Sequence, residues 1–314
     1  MSPRALLVQL TVWALALIGV NAAIDGVSRN SLPRQIVRAI EASGPVTDVF
    51  AGNSLAVSGF DTQAYEAARP GARALNIGLG WSFAPEHDIL LRRALRLRPA
   101  HVYYSSSDTM LTDVVPSRWQ DLVGNRAMAY YIDPETAIRF FAPEGGPQTL
   151  AIRVTSRIPM VADRFSIWPA VERVRRQLGG IGMPPEPVNR FGRVEDFASF
   201  ALGEEPAFQL ACREVVRLQT PLTPAVRDML ALVRQAGGTM MIVEMPRPSD
   251  HRRRVYTSPE WAAYQAYIAE RIREAGGHYI VASDWVADDQ FSDPLHLGPR
   301  GAAVLSGRLA DITK

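Results

Sequence analysis

The chain reads as an α/β protein, a three-layer α/β/α sandwich built on a parallel sheet and preceded by one N-terminal transmembrane helix. Three observations predict this. An uncharged apolar run opens the chain, short apolar runs then alternate with amphipathic helical segments, and Gly or Pro closes most of those segments. With 314 residues, 47% of them apolar, the body can bury one sizeable core.

The first element follows Arg4. Ala5 to Ile24 is about 20 residues without a charge, the length that matches the hydrocarbon thickness of a bilayer. Val20-Asn21-Ala22 resembles a small-residue cleavage site, but the run is longer than an ordinary signal core of roughly 7–15 residues, so an uncleaved anchor is expected. Arg4 precedes the span while Arg29, Arg34 and Arg38 follow it, so charge alone does not orient it. Residues 1–25 are therefore assigned to the anchor and 26–314 to a domain tethered at one membrane face.

Pro33 to Ala42 is an amphipathic helix and Val46 to Phe50 a buried strand. Thr62 to Ala68 is a helix ending at Pro70-Gly71, Ala72 to Ile77 a strand, Pro85 to Leu97 a helix and Ala100 to Tyr104 a strand. From about 109 to 221 the alternation is lost. This stretch holds Trp119, Trp168, a Gly/Pro-rich segment at 179–187 and helical pieces such as Val171 to Leu178, and it reads as an insertion or as a blurred helical layer. Order returns with a helix from Pro224 to Ala236, a strand from Thr239 to Glu244, and a helix from Pro259 to Ala275 capped by Ser258. A strand from Tyr279 to Ala282 and a closing helix from Pro299 to Thr313 complete the chain.

Composition removes several kinds of chemistry. The net charge of +2 is small for this length and argues against a nucleic-acid partner. Lys314 is the only lysine, so no lysine is at hand for a phosphate loop, a Schiff base or general base work in a pocket. A lone cysteine, Cys212, cannot make an intramolecular disulfide or a multi-cysteine zinc site and reads as a small buried residue. His87, His101, His251 and His278 lack the paired spacing of metal ligands, so neither metal nor cofactor is expected.

Two segments carry chemistry. Gly52-Asn53-Ser54 stands where an apolar strand gives way to a helix, the place where parallel α/β sheets hold their reactive groups. Asp293-Pro294-Leu295-His296 puts a carboxylate three residues before an imidazole on a Pro- and Gly-marked turn. A carboxylate that orients one ring nitrogen leaves the other to take the proton of a serine. Ser54 alone would read as a helix cap and His296 alone as a surface histidine; together with Asp293 they read as nucleophile, base and orienting acid. Asp284, Asp288 and Asp289 lie close enough in sequence to compete for that last role.

These residues resemble the SGNH, or GDSL-type, hydrolase and acyltransferase superfamily. Gly52-Asn53-Ser54 matches its nucleophile motif, Asn76-Ile77-Gly78 its second motif, and Asp293-x-x-His296 its closing motif, in the family's order, over about residues 46–108 and 224–313. The resemblance implies a flavodoxin-like sandwich, a Ser54–His296–Asp293 triad, and an oxyanion hole from the backbone N–H groups of Ser54 and Gly78. The family's third motif supplies an asparagine to that hole; here its place reads Ser105-Ser106-Ser107-Asp108, and a hydroxyl of Ser105, Ser106 or Ser107 is the expected substitute. Trp81 and Phe83 could line an acyl or sugar pocket or simply pack on the next helix, and His251-Arg252-Arg253-Arg254 reads as a solvated loop or a headgroup-binding patch.

With its anchor, the chain is similar in layout to membrane-bound proteins that assist D-alanylation of teichoic acids or O-acetylation of exported polysaccharides such as alginate. That layout implies an extracytoplasmic (periplasmic) domain at the cell membrane, a polysaccharide or other hydroxyl acceptor, an acyl donor, and a multispanning membrane O-acyltransferase as partner. The expected function is a serine-dependent O-acyltransferase or esterase working through an acyl-serine. The alternative is a catalytically inactive SGNH-like module that binds glycan or scaffolds a polysaccharide-modification complex.

Overall fold

A computed structural model of the chain describes residues 2–29, 31–80, 82–112, 130–163 and 197–313, with a few positions between 171 and 179. Trp81, Trp119, Trp168, Lys314 and most of the 179–187 segment lie outside the described residues, as does part of Val171 to Leu178. The chain divides into two compact units, one of Met1–Arg38 with Ser117–Met183 and one of Ala39–Pro116 with Pro184–Lys314. The apolar N-terminal segment thus groups with the middle of the stretch expected as an insertion.

The described part of the first unit is helical. It holds α1 (Pro3–Ser28) and the start of α2 (Leu32–Ala42), with further short helices after residue 130. Among the described residues, α1 alone is long and apolar enough to cross a membrane. Its apolar side chains, among them Leu7, Val8, Trp13, Leu15 and Ile18, are exposed along most of its length. A helix apolar on every side is stable where an apolar phase surrounds it, either a protein core or a bilayer. Near its C-terminal end the helix does meet protein, where Asn21 Oδ1 accepts from the Met160 N–H at 3.1 Å and Ile24 and Ser28 are buried.

The second unit is the doubly wound sheet. In chain order it comprises β1 (Asp48–Ala51), α3 (Ser54–Gly59), α4 (Thr62–Ala68), β2 (Ala74–Asn76), α5 (Ala84–Ala94) and β3 (His101–Ser106). After α6 (Pro134–Phe141), α7 (Pro147–Thr155) and α8 (Pro159–Ala162) of the first unit, it continues with α9 (Phe197–Leu218), α10 (Pro224–Gln235) and β4 (Thr239–Glu244). It closes with α11 (Pro259–Glu274), β5 (His278–Val281) and α12 (Pro299–Ile312). All pairs are parallel in the order β2-β1-β3-β4-β5, with Asp48 opposite Ala74 and His101, Thr239 opposite His101, and His278 opposite Met241.

The sequence supplies the boundaries. Thr223 and Ser258 each cap a helix whose first residue is proline, and Asp61 caps α4 by accepting from the Gln63 and Ala64 N–H groups. Gly237 and Gly276 stop α10 and α11 in the left-handed region, at φ 82° and 84°. One face of the sheet packs Phe50, Tyr103 and Val243 against Leu55, Phe60, Tyr65, Leu305 and Leu309, from α3, α4 and α12 and the turn between the first two. On the other face lie α5, α10 and α11.

The strand order reverses between β1 and β3, since the chain leaves β1 toward β2 and then returns past it. Such a switch point opens a crevice at the carboxyl ends of the two strands, and Ser54 and Ser107 follow those ends directly.

Candidate active site

β1 passes into Gly52 at φ 135°, and a Cβ there would lie 2.0 Å from Ser105 Oγ. Only glycine lets the chain turn this tightly beside β3. Asn53 then caps α3, its Oδ1 accepting from the Leu55 N–H at 3.0 Å, and Ser54 is the first helical residue, half-buried. On the far side of the crevice the 290–298 loop is drawn closed by an antiparallel bridge between Phe291 and Leu297, and by bonds from Ser292 N–H to His296 C=O and from Gly298 N–H to Gln290 C=O, both 2.8 Å.

That loop sets three side chains in a row. Ser54 Oγ lies 2.9 Å from His296 Nε2, and His296 Nδ1 lies 2.7 Å from Asp293 Oδ2 and 2.9 Å from Oδ1. Asp293 Oδ1 also accepts from the Leu295 and His296 N–H groups at 2.8 and 2.7 Å, which orients the carboxylate independently of the ring. Burial alone would raise the Asp293 carboxyl. The hydrogen bonds from the His296 ring and the two amides outweigh it and hold the group below the usual aspartate value. An ionised carboxylate can only accept, so Nδ1 carries the proton and Nε2 faces Ser54 with its lone pair. The competing carboxylates are engaged elsewhere or exposed: Asp288 accepts from Ser249, Asp289 pairs with Arg300, and Asp284 faces solvent.

The expected oxyanion donors fare differently. The Gly78 N–H donates to Asn76 Oδ1 at 2.9 Å and is thereby engaged within its own loop. Asn76 in turn donates from Nδ2 to the Ala56 and Phe60 carbonyls at 2.9 and 3.0 Å, so one carboxamide ties the β2 end to α3. Gly78 is required for close approach instead, since a Cβ there would come within 2.9 Å of the Val57 nitrogen. Ser105 and Ser106 belong to β3 rather than to the loop after it. The Ser105 hydroxyl is buried against Gly52 without a hydrogen-bond partner among the described residues, Ser106 is buried within β3, and Ser107 Oγ donates to Met110 Sδ at 3.2 Å. The Ser54 N–H has no hydrogen bond within the chain among the described residues.

Several contributors gave no sequence signal of their own. Buried His87 on α5 lies 2.8 Å from Tyr104 Oη through Nδ1 and 2.7 Å from Ser82 Oγ through Nε2, and Ser82 in turn donates to the Leu79 carbonyl. Because Ser82 spends its proton on Leu79, it accepts from His87 Nε2–H, and Tyr104 donates to Nδ1. This one-way relay clamps the loop that follows Gly78. Burial holds the His87 pKa down at about 3. Nuclear magnetic resonance of ring-labelled histidine is expected to show a neutral Nε2–H tautomer for His87 that does not titrate between pH 5 and 8; a titration near 6.5 would refute the relay.

The other histidines are structural or peripheral: His101 joins Asp48 at 3.0 Å, His251 lies beside Asp108, and His278 is exposed. The His251–Arg254 segment is not a loop. It forms a short helix running into a π turn (Arg252–Tyr256), with Arg253 and Arg254 paired to Asp250. Phe83 is 41% exposed, and Cys212 is buried on α9.

What the fold and site define is a doubly wound α/β protein with a serine, histidine and aspartate aligned at its switch point. No family model matches the chain, and no curated protein matches it. Among solved structures it is similar to a crystal structure of a "putative acylhydrolase" from Bacteroides fragilis NCTC 9343, at 10% identity and a TM-score of 0.37, over 88% of this chain and 94% of that one. A likeness so distant carries no chemistry, which rests on the geometry above.

Proposed function

We propose that this chain is a serine esterase or O-acyltransferase of the SGNH type that acts on a cell-envelope or exported polysaccharide. The observation that supports it is the continuous row from Ser54 Oγ through His296 to Asp293. In the reaction, His296 Nε2 takes the Ser54 proton as Oγ attacks an ester or thioester carbonyl. The imidazolium, stabilised by Asp293, returns that proton to the leaving alkoxide or thiolate and an acyl-serine remains. A second hydroxyl then gives its proton to His296 and attacks the acyl carbon, and the imidazolium passes that proton to Ser54 Oγ as its ester bond breaks. Water in that place yields an acid, and a sugar hydroxyl yields a new ester.

The apolar α1 suits a domain held at the membrane, and by the family resemblance that domain is extracytoplasmic and receives acyl groups from a multispanning O-acyltransferase. A second reading, an inactive glycan-binding or scaffold module, is favoured by one observation, the engagement of the Gly78 N–H by Asn76. The two separate in one experiment. Full-length protein in detergent is treated with a fluorophosphonate, and the adduct is located by peptide mass spectrometry. Labelling on Ser54, absent from Ser54→Ala, is the expected result; no adduct on folded protein would leave the inactive module standing.

A further inference from the structure

Two hydrogen-bond donors from the ends of adjacent strands converge on one sulfur. Asn53 Nδ2, after β1, approaches Met110 Sδ at 3.6 Å, and Ser107 Oγ, after β3, at 3.2 Å. A thioether is a weak acceptor. Two polar groups directed at it are poorly satisfied, and an oxygen bearing negative charge in the same place would bind both far better.

Neither donor is there by accident of rotation. The Asn53 carboxamide is held at its other end, Oδ1 accepting from the Leu55 N–H at 3.0 Å, so the amide must present Nδ2 outward. Its neighbour in the chain is Ser54. Ser107 is 4% exposed, and the residue after it anchors the turn. Asp108 adopts a left-handed backbone (φ 49°) and receives bonds from Arg247 Nη2 at 2.5 Å and Tyr256 Oη at 3.0 Å, while its own N–H donates to Tyr256 Oη at 3.3 Å. Arg247 is 1% exposed, so the pair is anchored inside the fold. Met110, by contrast, sits half-buried on the 108–112 turn, and its unbranched side chain has three rotatable bonds.

We infer that Asn53 Nδ2 and Ser107 Oγ are oxyanion donors of this site, and that the Met110 thioether holds their acceptor position in the free protein until a substrate carbonyl oxygen displaces it. This rests on the acyl-transfer reading above. It answers the two shortfalls of the site, the absent third-motif asparagine and the engaged Gly78 N–H. Asn53 thereby has two roles: one end of the amide starts α3 and the other stabilises charge on the carbonyl oxygen that Ser54 attacks.

The test uses the full-length protein in detergent with a p-nitrophenyl ester. Asn53→Asp and Asn53→Ser keep an oxygen to cap α3 but lose the amide donor. Each is expected to lower kcat about 10²- to 10³-fold with KM nearly unchanged. Affinity for a boronic acid, which mimics the tetrahedral adduct, should fall in parallel, a change that a mere capping role would not produce. Ser107→Ala should act in the same direction, about tenfold. Met110→Leu removes the competing acceptor and should raise kcat/KM about threefold. Retention of wild-type kcat and boronate affinity by both Asn53 variants would overturn the assignment of Asn53, and a fall in kcat/KM for Met110→Leu would overturn the placeholder. Failure of the underlying reading is distinguishable, because Ser54→Ala would then turn over ester as fast as the wild type.

Discussion

Asp293→Asn is expected to lower kcat for ester turnover by about 10⁴-fold with the fold intact. The size follows from a tautomer. In the wild type the carboxylate accepts two amide N–H bonds through Oδ1 and meets His296 Nδ1 through both oxygens. An asparagine can keep its Oδ1 on the Leu295 and His296 amides, which preserves the turn, and must then direct its Nδ2 donor at the ring. His296 answers by carrying its proton on Nε2, and the lone pair that faced Ser54 is gone. Steady-state turnover and the rate of phosphonate labelling should fall together while near-ultraviolet circular dichroism is unchanged. Turnover within tenfold of wild type would exclude Asp293 from the role and with it the triad. Because Asp293 is held below the usual aspartate value, it stays ionised across neutral and mildly acidic pH, and loss of activity at pH 5 to 6 would have to be sought in another group.

The second large effect lies at the opposite end of the sheet and is one of stability. Asp48, at the start of β1, is fully buried. It accepts from Tyr65 Oη and Arg69 Nη1 at 2.8 Å, from His101 Nδ1 at 3.0 Å and from Thr47 Oγ1 at 2.5 Å. Tyr65 and Tyr103 extend the network to Thr313 after α12, so this one carboxylate ties β1, β3, α4 and the chain end together. Asp48→Ala strands several buried donors at once, and breaking such a pair costs about 3–5 kcal/mol. Denaturant unfolding at neutral pH should show a loss of that order.

The sign of its pH dependence can be stated. Burial raises the Asp48 carboxyl, but the bonds from His101, Thr47 and Tyr65 and the charge of Arg69 outweigh it and lower the folded-state value. A lowered folded value means that the stabilisation is complete above the ordinary aspartate value of 3.8 and is lost as pH falls through the folded value. The gap between wild type and Asp48→Ala should therefore be full at pH 7 and shrink below pH 4. A gap that does not change with pH, or one under 1 kcal/mol at pH 7, would contradict the network.

Much of the fold was legible in sequence because its signals are local. The Thr239–Glu244 strand and the Thr62–Ala68 helix fall where the sequence predicts them, since capping and hydrophobic periodicity act over a few residues. Where expectation and structure differ, the cause lies further away. The second strand, read as Ala72 to Ile77, is only Ala74–Asn76, with the Arg73 carbonyl accepting from the Thr47 and Asp48 N–H groups at its start. The helix α9 was hidden in the stretch without alternation, and Pro206 inside it breaks the usual helical pattern.

The site divides in the same way. The sequence by itself determined the residue types and their order: a serine at a strand end, an aspartate three residues before a histidine, one apolar helix, and a single lysine, Lys314. Only the tertiary structure decided what each polar atom is joined to. It turned the Asn76 carboxamide onto the Gly78 N–H, buried the Ser105 hydroxyl against Gly52, and brought Met110 between Asn53 and Ser107. The physical reason is that periodicity and capping are settled within a few residues, whereas the direction of a hydrogen bond in a crevice depends on packing between strand ends and helices far apart in the chain.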